Sequence, residues 1–122
     1  LAAGVNVGFG HDCVMDPWYA FGSGDMLEVA HMGVHVAQMT SQAAIRQCFD
    51  AVTTNSARIL GLDGYGLEPG CHADLVVLQA EDPFHAIRLR ANRLFVIRRG
   101  KVIARNAPRE TWLNLSGCSS SQ

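Results

Sequence analysis

The sequence predicts an α+β fold, with helices in its first half and strands in its second half. Between residues 24 and 60, apolar side chains recur at spacings of three and four, which is typical of amphipathic helices. Between residues 73 and 105, apolar side chains fall in short, partly alternating runs, which is typical of strands. The chain has 122 residues and 48% hydrophobic side chains, enough for one buried core.

The opening segment predicts a strand followed by a loop. Residues 4–10, GVNVGFG, are small or apolar at every position, so they resemble a buried parallel strand rather than an amphipathic edge strand. The run ends in His11-Asp12. Residues 13–22 contain proline and glycine and therefore predict a loop.

Three helices are predicted after this loop. The first covers about residues 24–39 and is expected to have Ser23 as its N-cap. The second covers residues 42–52 behind a cap at Thr40-Ser41. The third is a short helix, Ser56–Leu60, which a glycine ends.

The second half predicts strands joined by loops. Residues 63–72 are rich in glycine and predict a loop, and residues 82–93 predict an irregular or briefly helical stretch. The expected strands are Ala73–Leu78, Leu94–Arg98 and Lys101–Arg105, the last two joined as a hairpin at Arg99-Gly100.

Charge is distributed unevenly along the chain. Residues 1–82 hold ten acidic and two basic side chains, whereas residues 83–122 hold eight basic and one acidic. A basic half can bind nucleic acid, but here the basic residues alternate with strand-type apolar residues and lack an aromatic stacking pattern. We therefore expect two faces that neutralise each other, and no nucleic-acid partner.

Cysteine usage and hydropathy suggest a cytoplasmic protein without a membrane partner. The four cysteines have long, irregular spacings and no C-x-x-C pair, which suits reduced thiols rather than a disulfide framework. No apolar run reaches the roughly 18 residues that a membrane helix requires. The first residues also lack the pattern of a signal peptide.

Asp12 is the leading candidate for a functional residue. Catalytic side chains of parallel α/β barrels lie where strands end, and Asp12 is placed at the end of the predicted strand. A carboxylate at such a position can bind a metal ion and accept a proton from water. The alternative is an ordinary turn or helix-cap aspartate. By strand alternation, His11 is expected to point away from any site that Asp12 faces.

Four other residues offer weaker candidates. Trp18 can wall a pocket for a planar ligand or anchor its loop on the core. Cys13 would need a basic partner to act as a reactive thiol, and no local residue supplies one. His31 and His35 have the spacing of zinc ligands on a helix, but their apolar neighbours favour core or interface histidines.

The order of several motifs resembles a known family. GVNVGFGHD, DPWY, GSGDMLEVAHMGVHV, AVTTNSARILGL, GLEPGCHADLVVL and LFVIRRGKVIAR resemble the C-terminal third of cytosine deaminases of the bacterial amidohydrolase type. HDCVMDPW followed by a G-x-x-DML helix is the more specific part. G-x-x-x-G-x-x-ADLVV with a later R-x-G-K-V hairpin is shared by many amidohydrolases. The resemblance covers residues 1 to about 108.

The resemblance implies a (β/α)8 barrel with a small β-sandwich. Residues 5–12 would be the eighth barrel strand. Residues 1–62 would be the C-terminal barrel segment of strand plus helices. Residues 63–108 would supply sandwich strands and a hairpin, and residues 109–122 a tail that we expect to be disordered.

The resemblance also implies roles for three residues. Asp12 matches an aspartate that binds the metal and transfers a proton. Trp18 matches a tryptophan near the pyrimidine pocket. Cys13 falls where cytosine deaminases carry a second acidic residue near the substrate, which leaves open whether the base is cytosine, another pyrimidine or a purine-like ring.

The resemblance further implies a metal-dependent enzyme that needs more chain than this. The family binds a divalent metal, iron or zinc, through histidines that this sequence does not contain at matching positions. One carboxylate falls short of the usual three protein ligands, so we expect the isolated chain to hold no metal and to be inactive. Its expected partners are the missing N-terminal barrel segment or a second copy, with a nucleobase as the substrate of the whole enzyme. The alternative is a non-catalytic, self-associating α+β module.

Overall fold

The computed structural model describes residues 3–114, in which four helices and three strands are present. In chain order these are α1 (Met26–Val36), α2 (Gln42–Ala51), α3 (Thr54–Ile59), β1 (Leu75–Leu78), α4 (Pro83–Leu89), β2 (Arg93–Arg98) and β3 (Lys101–Arg105). The predicted α+β class is confirmed. Of the predicted tail, residues 115–122 lie outside the described residues, whereas residues 109–114 are exposed and irregular.

Helix α1 differs from its prediction at both ends. Its N-cap is Asp25, whose carboxylate accepts a hydrogen bond from the Leu27 N–H at 2.8 Å, and not Ser23. The helix ends at Val36 because Gln38 adopts a φ of 53°, a left-handed conformation that cannot continue a helix. Its inner face buries Leu27, Ala30 and Val34, which are spaced as one helical stripe.

Helices α2 and α3 form close to where the sequence places them. The Ser41 hydroxyl accepts a hydrogen bond from the Ala44 N–H at 3.2 Å, so the predicted cap is confirmed. Helix α2 buries Ile45, Cys48 and Ala51, again one stripe. Helix α3 is short and is followed by Gly61 at a φ of 60°, the conformation that favours glycine after a helix.

The three strands form one antiparallel sheet in the order β1-β2-β3. The predicted hairpin is present: Arg99 and Gly100 both have positive φ, at 48° and 76°, as a type I′ turn requires. The Asp74 carboxylate accepts a hydrogen bond from the Arg99 N–H at 2.6 Å, which fixes this turn against the start of β1.

Helix α4 completes a core that the other helices leave open. It packs against α1 and α2, and its Ala86 and Ile87 are each 2% exposed. Asp82 caps it by accepting a hydrogen bond from the His85 N–H at 2.7 Å, and Arg90 ends it in a left-handed conformation. The core is therefore built between three helices, with the sheet beside them.

The opening segment is not a strand, so that prediction is wrong for the described chain. A parallel strand needs a neighbouring strand to satisfy its backbone, and none within residues 3–114 pairs with it. Instead the Phe9 N–H donates to the Ala51 carbonyl at 2.9 Å, and the Asn55 side-chain amide donates to the Val7 carbonyl at 3.0 Å. The segment thus lies as extended chain against the end of α2 and the start of α3.

Ion pairs join the acidic first half to the basic second half. Arg93 pairs with Asp25 at the start of α1, and Arg98 and Arg99 lie 3.6 and 3.7 Å from the Asp74 carboxylate. These contacts support the interpretation that the two halves neutralise each other. Within residues 3–114, no helix has the length and apolar character needed to cross a membrane.

Asp25 tests whether its carboxylate stabilises the start of α1 as an N-cap. Its carboxylate caps α1 and pairs with Arg93 of β2. We expect Asp25→Ala to lower the free energy of unfolding by about 0.5–2 kcal/mol, because it removes the cap. Asp25→Asn retains a cap acceptor and loses only the charge, so its loss in urea denaturation should be smaller. Equal losses for the two variants would contradict the capping role.

Candidate active site

A cleft of about 390 Å³ lies between the opening segment and α1. Residues 9–13 form one wall and Tyr19 lies beside them. The other wall is the face of α1 that carries Glu28, Met32 and Val36. The fold therefore brings Asp12 and Cys13 to the same cleft, as their adjacency in the sequence suggests.

Two glycines allow this segment to approach its neighbours closely. A Cβ placed on Gly33 of α1 would collide with the ring of Phe9. A Cβ placed on the buried Gly22 would collide with the carbonyl oxygen of Cys13 and crowd Val14. Sequence reasoning did not identify either position as part of the site. A glycine inside the apolar stripe of α1 was the available signal.

His11 lies in the same cleft as Asp12, so the prediction that it points away is wrong. Alternation applies only to a strand, and this segment is not one. The His11 ring stacks beside Tyr19, with ring centroids 6.4 Å apart and an angle of 27° between the planes. Its Nε2 atom is buried without a hydrogen-bond partner among residues 3–114.

Asp16 organises the loop that follows. Its carboxylate accepts hydrogen bonds from the backbone N–H groups of Trp18 at 3.0 Å and Tyr19 at 2.9 Å. The bond from Tyr19 is the largest cause that holds the pKa of Asp16 below its usual value. The indole of Trp18 is 90% exposed and is not part of the cleft wall. Its role near a substrate stays a prediction.

Cys13 is a neutral thiol at the cleft. A hydrogen bond to Asp16 is the largest cause that raises its pKa, followed by partial burial and the negative charges of Asp16 and Asp12. A raised pKa keeps the sulfur protonated at neutral pH, which disfavours a nucleophilic role. The Sγ atom also lies 3.9 Å from Asp12 Oδ2.

Glu28 connects α1 to the loop, a contact that sequence reasoning missed. Its carboxylate accepts hydrogen bonds from the Tyr19 hydroxyl at 2.6 Å and from the Ser23 hydroxyl. The bond from Ser23, and then that from Tyr19, holds the pKa of Glu28 below its usual value. The available signal was a single carboxylate within the apolar run MLEVAHMGV.

The described residues do not provide a complete metal site. Among residues 3–114, no group of three or more His, Cys, Asp or Glu side chains is arranged to hold a metal ion. His31 and His35 have ring centroids 4.8 Å apart, and burial followed by the nearby His35 lowers the pKa of His31. They form a pair without a third donor, and Asp12 contributes one carboxylate.

Comparison with known proteins identifies the family. The amidohydrolase family matches this sequence over residues 1–114, so the chain belongs to the amidohydrolase family. It is 36% identical over 107 residues to N-isopropylammelide isopropyl amidohydrolase of Pseudomonas sp. (strain ADP), covering 87% of this chain and 27% of that protein. It is 33% identical over 108 residues to pterin deaminase of Rhizobium rhizogenes, covering 88% of this chain and 24% of that protein.

A solved structure supports the same relationship. The 5-methylcytosine deaminase from Klebsiella pneumoniae, liganded with phosphonocytosine, is 41% identical and superposes with a TM-score of 0.83. The match covers 92% of this chain and 28% of that protein. The chain thus spans about a quarter of the length of these relatives and corresponds to their C-terminal part. The resemblance to cytosine deaminase-like amidohydrolases is confirmed.

Gly22 tests the close approach beneath Cys13. We expect Gly22→Ala to lower the free energy of unfolding by about 1–3 kcal/mol, because the added methyl group meets backbone that must move. The matched control is Gly10→Ala, since open space surrounds a Cβ at Gly10. In urea denaturation, we expect the free energy of unfolding of this control to lie within about 0.5 kcal/mol of that of the unsubstituted protein. An unchanged free energy of unfolding in Gly22→Ala would show that the loop does not pack as described.

Asp16 tests the electrostatics of the loop. Its folded pKa lies below the value of 3.8 for a free side chain, so ionised Asp16 stabilises the loop above that pH. This contribution should disappear as the pH falls through the lower, folded pKa. Carbon-13 NMR titration of the Asp16 carboxyl should show the depressed value, and Asp16→Asn should remove this part of the pH dependence. A titration midpoint at or above 3.8 would contradict the bonding pattern.

Proposed function

We propose that this chain forms the C-terminal part of a metal-dependent hydrolase that deaminates a nucleobase such as cytosine, converting the amine to a carbonyl and releasing ammonia. The observation that carries the proposal is the 41% identity and TM-score of 0.83 to 5-methylcytosine deaminase over 92% of the chain. Membership of the amidohydrolase family supports a hydrolytic reaction.

Asp12 is the proposed catalytic residue and metal ligand. Its exposed carboxylate lies at the cleft, where it can hold a proton and contribute one bond to a divalent ion such as iron or zinc. Because the described residues do not complete a metal site, the other ligands must come from outside them. We expect the isolated chain to bind no metal tightly and to be inactive.

Cys13 and Trp18 are the proposed substrate-binding residues. Cys13 presents a neutral thiol to the cleft, in contrast to the acidic residue that the resemblance to cytosine deaminases implies. A neutral neighbour changes which ring substituents the pocket accepts, so the base itself stays open. The exposed indole of Trp18 can cover a planar ring once other parts of the enzyme close the cleft.

We also propose the domain bounds of the chain, its partner and its location. We assign residues 1–62 to the barrel, residues 63–108 to the sandwich and residues 109–122 to a tail. The proposed partner is the N-terminal barrel segment or a second copy, and the proposed location is the cytoplasm. Met15 and Phe21 are 80% and 86% exposed, and such apolar surface favours association with more protein. The same surface supports the alternative of a self-associating module without catalysis.

A chimera tests the proposed reaction. Residues 1–108 of this chain would replace the corresponding segment of the Klebsiella 5-methylcytosine deaminase, and ammonia release from cytosine and 5-methylcytosine would be measured. We expect activity in the chimera, none in the 122-residue chain alone, and a loss of about 10²–10⁴-fold in kcat for Asp12→Asn. The matched control is Asp63→Asn, which changes an exposed carboxylate outside the cleft.

Two results would contradict the proposal. Full activity of the Asp12→Asn chimera would show that Asp12 is not a catalytic residue. A folded chimera without deaminase activity, together with self-association of the 122-residue chain in size-exclusion chromatography, would favour the non-catalytic module.

A further inference from the structure

We infer that Glu28, Tyr19 and Ser23 form a clamp that positions the loop bearing Cys13 and Trp18 beside Asp12, so that Glu28 is a positioning residue of the proposed site. The inference rests on the proposed function, because Asp12 has a reaction to perform only there. It assigns a role to three polar side chains that the proposed function leaves without one.

The first step is how Glu28 uses its two oxygens. Oε1 accepts a hydrogen bond from the Tyr19 hydroxyl at 2.6 Å. Oε2 accepts bonds from the Ser23 hydroxyl and from the Ser23 N–H, the latter at 3.4 Å. Hydrogen bonds to an ionised carboxylate are stronger than neutral ones. The Glu28 side chain on α1 therefore binds two residues, Tyr19 and Ser23, at the C-terminal end of the loop.

The second step excludes the ordinary role of a glutamate at this position. Glu28 lies three residues after the N-cap Asp25, where a glutamate commonly reaches back to the N-cap N–H. Here the Asp25 N–H donates to the Ser23 hydroxyl instead, at 3.2 Å. Asp25 itself caps the helix. The Glu28 carboxylate is thus directed to the loop and not to the backbone of its own helix.

The third step leads from Tyr19 to the site. The Tyr19 ring stacks beside His11, the residue before Asp12. The Tyr19 N–H donates to the Asp16 carboxylate, which also accepts a hydrogen bond from the Trp18 N–H. The ring of Tyr19 contacts His11, and its backbone N–H binds Asp16. A fixed position of Tyr19 therefore restrains both residues. Glu28 and Tyr19 both lie in the cleft wall and are half-buried, so water competes only partly for these bonds.

The test uses the 122-residue chain and needs no enzymatic activity. Amide hydrogen exchange and His11 ring proton shifts would be measured by NMR in Tyr19→Phe, Glu28→Ala and Glu28→Gln. Tyr19→Phe keeps the ring and removes only the hydroxyl. Glu28→Gln retains one carbonyl acceptor for Tyr19, so it should rescue part of the effect of Glu28→Ala. The matched control is Glu68→Ala, an exposed glutamate in the loop after α3.

We expect exchange at the Tyr19 amide to accelerate about tenfold in Tyr19→Phe and Glu28→Ala, and less in Glu28→Gln. The His11 ring shifts should change with it, whereas amides of Ala30 and Val34 in α1 should not. Unchanged loop exchange in both Tyr19→Phe and Glu28→Ala would overturn the clamp. So would equal acceleration at the loop and at α1, which would indicate general destabilisation. An inactive chimera would overturn the proposed function alone and leave these readouts to decide the clamp.

Discussion

The site depends on how one extended segment satisfies its backbone without a neighbouring strand. Buried peptide groups require partners, and within the described residues the partners of this segment come from helices. The Phe9 N–H binds the Ala51 carbonyl, and Asn55 binds the Val7 carbonyl. These two bonds, with the Phe9 ring seated on Gly33, fix the segment against α1, α2 and α3. Asp12 lies two residues after this segment and is thereby held at the cleft beside α1.

The same arrangement explains why the site has only two walls. The opening segment and α1 form them, and the loop clamped by Glu28 lies at their end. The exposed apolar side chains of Met32 and Val36 form part of the cleft wall. This chain covers 27% and 28% of two matched amidohydrolases, so most of their structure has no counterpart here. A cleft with apolar margins, and without three side chains arranged to hold a metal ion among residues 3–114, is the expected geometry for one part of a larger site.

Local signals in the sequence predicted the elements that depend on local chemistry. Ser41 caps α2 because its hydroxyl reaches a nearby N–H, and Gly100 turns the hairpin because positive φ suits it. The prediction of a strand at residues 4–10 was wrong because an apolar composition indicates that a segment can be buried. It does not indicate whether a partner strand is present to pair with it. The Tyr19–Glu28 bond was missed because it joins residues nine apart through a loop whose path no periodicity encodes. Asp12 was proposed from its position after an apolar run. Cys13 and Trp18 were weaker candidates near it, and their substrate-binding roles were implied by the family resemblance.

The central claim is that the donors of this chain do not make a complete metal site, so that Asp12, the proposed donor, needs partners from elsewhere. Isothermal titration of the purified, metal-free 122-residue chain with Zn²⁺, alongside its Asp12→Asn variant, tests this claim most directly. The account predicts no stoichiometric binding and no difference between the two proteins, because a single carboxylate is too few ligands for a protein zinc site. Tight one-to-one binding that Asp12→Asn abolishes would contradict it, since the chain would then hold a complete site of its own.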